Sequence, residues 1–181
     1  MSATIRTVPD TWITSEMEAL TGVELGGQTS LPIGASDIRR WAIAVYFPTP
    51  PPRHYWDEEY AATRHGGLVA PEEFNPFAWM TAAGPPERRE TFDVGSAGAR
   101  GVESRFGVEA PATKFVLNGG IEVTYGVRMR PGDVITSVSR HAGYAERTGR
   151  LGLMLFTYND SEWTNQAGQW VKTVRSTGIR Y

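Results

Sequence analysis

The sequence predicts a single α+β domain, a curved antiparallel sheet wrapped around a central apolar helix. Two observations carry this. Hydrophobic residues recur with helical spacing in the first half of the chain, whereas from Lys114 onward the apolar–polar period is two. The last two period-two runs, Leu151 to Thr164 and Gln169 to Tyr181, are rich in β-branched and aromatic residues. They are longer than a small flat sheet requires, so they should curl around something. With 181 residues the chain is one domain, 1–181, long enough to bury a core.

In chain order, residues 10–21 predict a short amphipathic opening helix, with Gly26-Gly27 ending the segment. Ser36 reads as the N-cap of a second helix, in which Ile38, Trp41, Ala42 and Val45 fall at i, i+3, i+4 and i+7. The run Pro48-Thr49-Pro50-Pro51-Pro52 stops that helix, because consecutive prolines lack N–H donors and force extended backbone. A rigid loop then presents Arg53-His54-Tyr55. Asp57 to Ala61 predicts a short helix with acidic residues at its positive end, closed by Arg64-His65-Gly66-Gly67. Asn75-Pro76 resembles an N-cap and first-turn proline opening the apolar helix around Phe77-Ala78-Trp79-Met80, although Pro71 is an alternative start. A buried helix at 76–82 would fill the concave face of the sheet.

Residues 84–113 hold many glycines, prolines and charges with little periodicity, and predict a flexible insert or lid over a pocket entrance. After it, Ile121, Val123 and Tyr125 alternate with Glu122 and Thr124, and three more strands follow. Arg130-Pro131-Gly132-Asp133, Thr148-Gly149 and Gln166-Ala167-Gly168 supply the turns, which together predict an antiparallel meander.

Composition excludes several function classes. A net charge of −2 gives no broad positive field for nucleic acid, and zero cysteines exclude disulfides, thiolate catalysis and cysteine zinc sites. No stretch approaches the roughly 20 apolar residues that span a bilayer, and Ser2-Ala3-Thr4-Ile5-Arg6 forms no apolar leader core. The expected location is the cytoplasm, with no membrane partner. His54, His65 and His141 are dispersed without H-x-x-x-H or H-E-x-x-H spacing, so no metal site is expected. Gly95-x-x-Gly98-x-x-Gly101 has no strand leading into it and no amphipathic helix after it, and reads as loop rather than nucleotide cradle.

Three runs in the first half carry a family resemblance: Asp37 to Ala42, His54 to Ala61, and Gly66-Gly67-Leu68-Val69-Ala70-Pro71. Later come Asn118 to Tyr125, Arg128, Arg130-Pro131-Gly132-Asp133 and Asn165 to Gln169. In this order the chain resembles the N-terminal-type MaoC-like dehydratases, the FAS1-like dehydratase domains, over most of residues 31–181. The resemblance implies a hot-dog fold, an acyl-CoA thioester substrate and reversible addition of water across a 2,3-double bond. It implies no cofactor beyond the CoA of the substrate.

Such chemistry needs a base, an acid and donors for the enolate-like oxygen. Active members of the family resembled use D-x-N-P-x-H. Laying His54 on that histidine puts Thr49 at the aspartate and Pro51 at the asparagine, so the acid–base pair is broken. His54 is the catalytic candidate, set against a pocket-wall histidine with no proton to move. Asp57 and Glu58 are substitute carboxylates that read more simply as helix N-terminal charges. The Glu72 backbone, Pro71, Tyr55 and Gly67 map onto the oxyanion and substrate-binding positions. Arg88 and Arg89, with Arg100 and Arg105, are CoA-phosphate candidates against a reading as solvated loop charge. Three functions remain open. The chain is the degenerate half of a hydratase that pairs with a second catalytic hot-dog subunit, or a homodimeric hydratase or thioesterase using His54, or a non-catalytic acyl-thioester binding protein.

Overall fold

The structure, a computed structural model, describes residues 10–78, 101–150 and 152–181. The opening helix is one turn, α1 (Ser15–Glu18), with the Thr14 hydroxyl accepting the Met17 N–H. Gly26 and Gly27 do not terminate it; they lie inside an edge strand, β1 (Glu24–Thr29), at a bulge where Gly26 takes a positive φ of 131°.

Helix α2 (Ala35–Tyr46) begins one residue before the expected cap. Gly34 is the N-cap, and its N–H donates to the Asp37 carboxylate at 3.2 Å, so Ser36 sits within the first turn. Ile38 and Ala42 are buried, with Trp41 and Tyr46 packed against the same core. Val45 is exposed, as are Ile43 and the C-cap Phe47, although Tyr46 in the same turn packs against the core. The prolines then deliver a 3-10 turn at Arg53–Tyr55 and helix α3 (Glu58–His65), capped by Asp57 and ended by Gly66 in the left-handed region. Of the expected central helix, Pro76–Ala78 make a first turn, with Asn75 Oδ1 accepting the Phe77 N–H at 3.0 Å; residues 79–82 lie outside the described residues.

Residues 84–100 of the expected insert also lie outside the described residues. Residues 101–113 are anchored rather than loose: α4 (Val102–Arg105) buries Glu103 completely against Arg180. An ion pair of this kind ties the segment to the sheet.

The sheet holds β2 (Val116–Tyr125), β3 (Thr136–Gly149), β4 (Gly152–Thr164) and β5 (Trp170–Arg180), all antiparallel, in the order β1-β3-β4-β5-β2. It is not the expected meander, since β2 pairs with β5 at the far edge and not with β3. The Arg130–Asp133 turn does form, closed by Asp133 N–H to the Arg130 carbonyl at 3.1 Å. It is stitched to Ile33, however, by Gly132 N–H to the Ile33 carbonyl and Ile33 N–H to the Asp133 carbonyl, and so carries the chain across the sheet. The β4–β5 turn is as expected, with Asn165 Oδ1 accepting the N–H of Ala167 and of Gln169.

Register determines which side chains meet. Trp163 stands opposite both Ser137 and Lys172, Lys172 stands opposite Tyr125, and His141 stands opposite Asn159. Phe74, Phe77, Trp41 and Trp163 close the core over this end, with Phe74 edge-on to Trp41 at 5.6 Å and Phe77 edge-on to Trp163 at 4.8 Å. Among the described residues no helix is long and apolar enough to cross a membrane.

Edge strand β2 leaves Val116, Leu117 and Ile121 exposed, beside an exposed Phe115. An unpaired apolar edge is a template for another strand. The chain is therefore expected to sediment as a dimer or larger species at micromolar concentration, and a well-behaved monomer would contradict this.

Candidate active site

The polyproline run and the N-cap of α3 hold the Arg53–Tyr55 turn from both sides. Arg53 reaches Asp57 at 2.5 Å, Trp56 Nε1 donates to the Pro51 carbonyl at 3.0 Å, and Asp57 Oδ1 accepts the Tyr60 N–H at 3.0 Å. Asp57 is thus occupied by a cation and a cap, and its carboxyl is held below the usual range by the Tyr60 amide first and Arg53 second. Glu58 and Glu59 occupy the first turn of the same helix.

His54 is half-buried. Its ring lies 4.0 Å from that of Tyr55 and 4.8 Å from that of His65, centroid to centroid. Burial first, then His65 and Arg128, lower its pKa from the ordinary value, so the imidazole is neutral at physiological pH. No carboxylate among the described residues hydrogen-bonds to it. Thr49 is exposed just past α2, its N–H donating to the Tyr46 carbonyl. His65 is exposed, and its ring tilts against that of His54.

Tyr55 is buried and central. Its hydroxyl is 3.5 Å from Arg128 Nη2, its ring is 5.9 Å from that of Tyr46, and its hydrogen bond to Tyr46 is the largest cause of the raised Tyr46 pKa. Arg128 donates through Nε and Nη2 to the Ala70 carbonyl at 3.1 and 2.6 Å, and Nη1 lies 3.5 Å from the Glu72 carboxylate. Arg130 does similar work one turn away, donating to the His65 and Gly67 carbonyls. Pro71 is buried, and Gly67 takes a positive φ of 129°.

The Glu72 backbone is not at a helix start. Pro71–Phe74 is a turn, closed by Phe74 N–H to the Pro71 carbonyl at 3.0 Å, and helical geometry begins only at Pro76 under the Asn75 cap. Lys172, a buried residue on β5, binds this turn, its Nζ donating to the Glu72 carbonyl at 3.0 Å and the Phe74 carbonyl at 3.4 Å. Burial pushes its pKa down to about 8. Sequence reasoning missed Lys172; the available signal was a lone cation two residues before Val174 in an otherwise largely apolar stretch of the last strand.

Of the CoA-phosphate candidates, Arg88, Arg89 and Arg100 lie outside the described residues. Arg105 is engaged, donating to the Leu25 carbonyl of β1. His141 is not without a partner: its Nδ1 is 3.2 Å from Asn159 Oδ1, while Nε2 is buried with none. Among the described residues no group of three or more His, Asp or Glu side chains is placed to hold a metal ion.

The family model described as the FAS1-like, dehydratase domain region matches residues 19–174. No curated protein matches the sequence. Among solved structures, the ChsH1-ChsH2 complex from Mycobacterium tuberculosis is similar at 18% identity and a TM-score of 0.59, over 92% of this chain and 88% of that one. The (R)-hydratase of A. caviae involved in PHA biosynthesis is similar at 12% identity and a TM-score of 0.51, over 87% and 94%. The C-terminally truncated HadBC 3R-hydroxyacyl-ACP dehydratase complex of Mycobacterium tuberculosis follows at 17% identity and a TM-score of 0.50, over 87% and 98%. The shared fold is the hot dog.

Proposed function

As this chain belongs to the FAS1-like dehydratase domain family, we propose that it is the non-catalytic half of a 2-enoyl-CoA hydratase that pairs with a second hot-dog chain. In the hydration, water oxygen bonds to C3, a proton is delivered to C2, and the 2,3-double bond is consumed. A base must take the proton from water and an acid must return one to carbon.

The observation that carries the reading is the surroundings of His54. Its ring packs on those of Tyr55 and His65, Arg128 adds positive charge nearby, Asp57 is already taken by Arg53, and the position where the family resembled carries an acid is Thr49 in this sequence. A neutral imidazole can accept a proton, but without a carboxylate to orient it the pair is incomplete. Features that support a binding role are the Tyr55–Arg128 contact, the Pro71–Phe74 turn, and the apolar edge at β2. Two of the similar structures are named as two-protein complexes, which supports a paired assembly for this chain.

The test is hydration of crotonyl-CoA and longer enoyl-CoAs by the purified chain, alone and co-expressed with a second MaoC-like chain that carries an intact Asp/His pair. Turnover only in the mixture is the expected result. Full turnover by the isolated chain would select a homodimeric enzyme using His54 instead.

A further inference from the structure

A row of charges crosses the sheet from edge to edge. On the face opposite Trp163 and Lys172, register sets Glu24 of β1 against Arg140 of β3, and Arg140 against Asp160 of β4. Asp160 then stands against Arg175 of β5, and Arg175 against Glu122 of β2. Signs alternate across all five strands, and both ends of the row are carboxylates. Directly opposite residues share a face, so each interior charge has an opposite charge on either side, whereas Glu24 and Glu122 have one neighbour each.

Glu122 is the less satisfied end. Arg140 reaches Glu24 at 3.5 Å, but Arg175 spends Nε and Nη2 on the two Asp160 oxygens, both at 2.7 Å. Among the described residues no cation lies within ion-pair distance of the exposed Glu122. The strand that carries it is adhesive, because Val116, Leu117 and Ile121 are exposed on a strand with one unpaired side.

A second copy of this chain cannot continue the row. The β2 positions on the charged face are Leu117, Gly120, Glu122 and Thr124, the bulge at Asn118/Gly120 resetting the alternation, and none is a cation. The register centred on Glu122 would set it against itself. The other edge, Glu24–Thr29, contains no cation and ends the row in a carboxylate, so joining β1 of one copy to β2 of another brings like charges together. Lys114 and Arg128, which flank β2, lie outside the strand, and Arg128 is held by the Ala70 carbonyl. Like charges directly opposite each other destabilise a strand pair, and opposite charges stabilise it.

We propose that Glu122 selects the partner of β2: the strand seated there belongs to a different chain and carries arginine or lysine opposite Glu122, continuing the row across the joint. The inference deepens the paired-assembly reading above and rests on it for the partner's being a second hot-dog chain. A copy of this chain still adheres through the apolar edge at micromolar concentration, but it binds less tightly for want of that cation.

Sedimentation of wild type, E122Q, E122K and an equimolar mixture of wild type with E122K tests the selection. Glu122 is exposed, so these variants should keep the wild-type circular dichroism. The mixture, which supplies an ammonium opposite Glu122, should associate about fivefold more tightly than wild type at low salt. E122Q should gain less, and E122K alone should gain nothing, having like charge against like. Both gains should vanish near 1 M salt, where the Debye length is about 3 Å. Amide exchange in residues 116–125 should slow on mixing, which places the contact at β2. Equal association of all four samples, or slowed exchange confined to other segments, overturns the selection and leaves the hydratase reading intact. The expected gains, with no pairing to a co-expressed MaoC-like chain that carries a cation on its edge strand, uphold the selection and overturn the hydratase pairing.

Discussion

Replacing Glu103 by alanine should destabilise the protein by about 3–5 kcal/mol, because it strands a buried guanidinium. Glu103 is fully buried and Arg180 is 5% exposed; Nη2 meets Oε1 at 2.5 Å, Nη1 meets Oε2 at 3.1 Å, and Nη2 also donates to Thr157 Oγ1 at 3.1 Å. For a chain of this size the loss corresponds to a fall in Tm of roughly 10 °C. Gly101 belongs to the same device, since a Cβ there would run into the Glu103 carboxylate and come within 2.8 Å of Arg180 Nη1. A cycle separates the pair from its burial: E103L with R180M should recover most of the loss, because two apolar side chains leave no orphaned charge. A double variant as unstable as E103A would mean that the charges themselves hold the segment.

The same pair has a defined acid dependence. Burial alone would raise the Glu103 carboxyl, but hydrogen bonds and charge from Arg180 more than offset it and hold the pKa below 4.5. A carboxylate depressed in the folded state stabilises fully above its unfolded value and loses that contribution as pH falls through the folded one. The stability gap between wild type and E103Q should therefore be constant at neutral pH and close below about pH 4.5. Tyr144, buried beside Glu103 without a hydrogen bond of good geometry, is raised above the ordinary tyrosine range by burial first and Glu103 second, so it stays neutral throughout.

What was legible in the sequence was whatever a local pattern encodes. Ile38, Trp41 and Ala42 mark one helix face within a single heptad, Asp57 caps the helix that follows it, and the two final strands are long runs rich in β-branched and aromatic residues. Strand β1 was hidden because Gly26-Gly27 read as a stop, and only pairing with Val138 and Ser139 makes it a strand. The position of β2 was hidden for a related reason: a turn signal at Arg130–Asp133 records that the chain bends but not which strand receives it. Glu103 and Arg180 are 77 residues apart, and Lys172 is about 100 from the carbonyls it binds, so no window contains either interaction. At the candidate site, the substitution of Thr49 for an acid was legible, whereas the contact between His54 and His65 depends on how α3 folds back.

His54→Ala should leave turnover of the assembled hydratase within a few-fold of wild type. The neighbours of His54 are aromatic rings and a guanidinium, and burial, His65 and Arg128 together keep it neutral. A neutral imidazole is competent to take a proton, but general acid–base catalysis also requires orientation and a second group. Thr49 cannot supply it, being an alcohol that does not ionise near neutral pH, and Asp57 is bound to Arg53. In the paired assembly proposed above, the acid–base contribution, typically ~10²–10⁴-fold, comes from the partner chain, where replacing the equivalent histidine should lower kcat by that range. In this chain the alanine should change KM more than kcat, because His54 packs on Tyr55 and Tyr55 supports Arg128. A hundredfold loss of kcat from H54A alone, with the fold intact by circular dichroism, would make His54 the proton carrier and this chain the catalytic half.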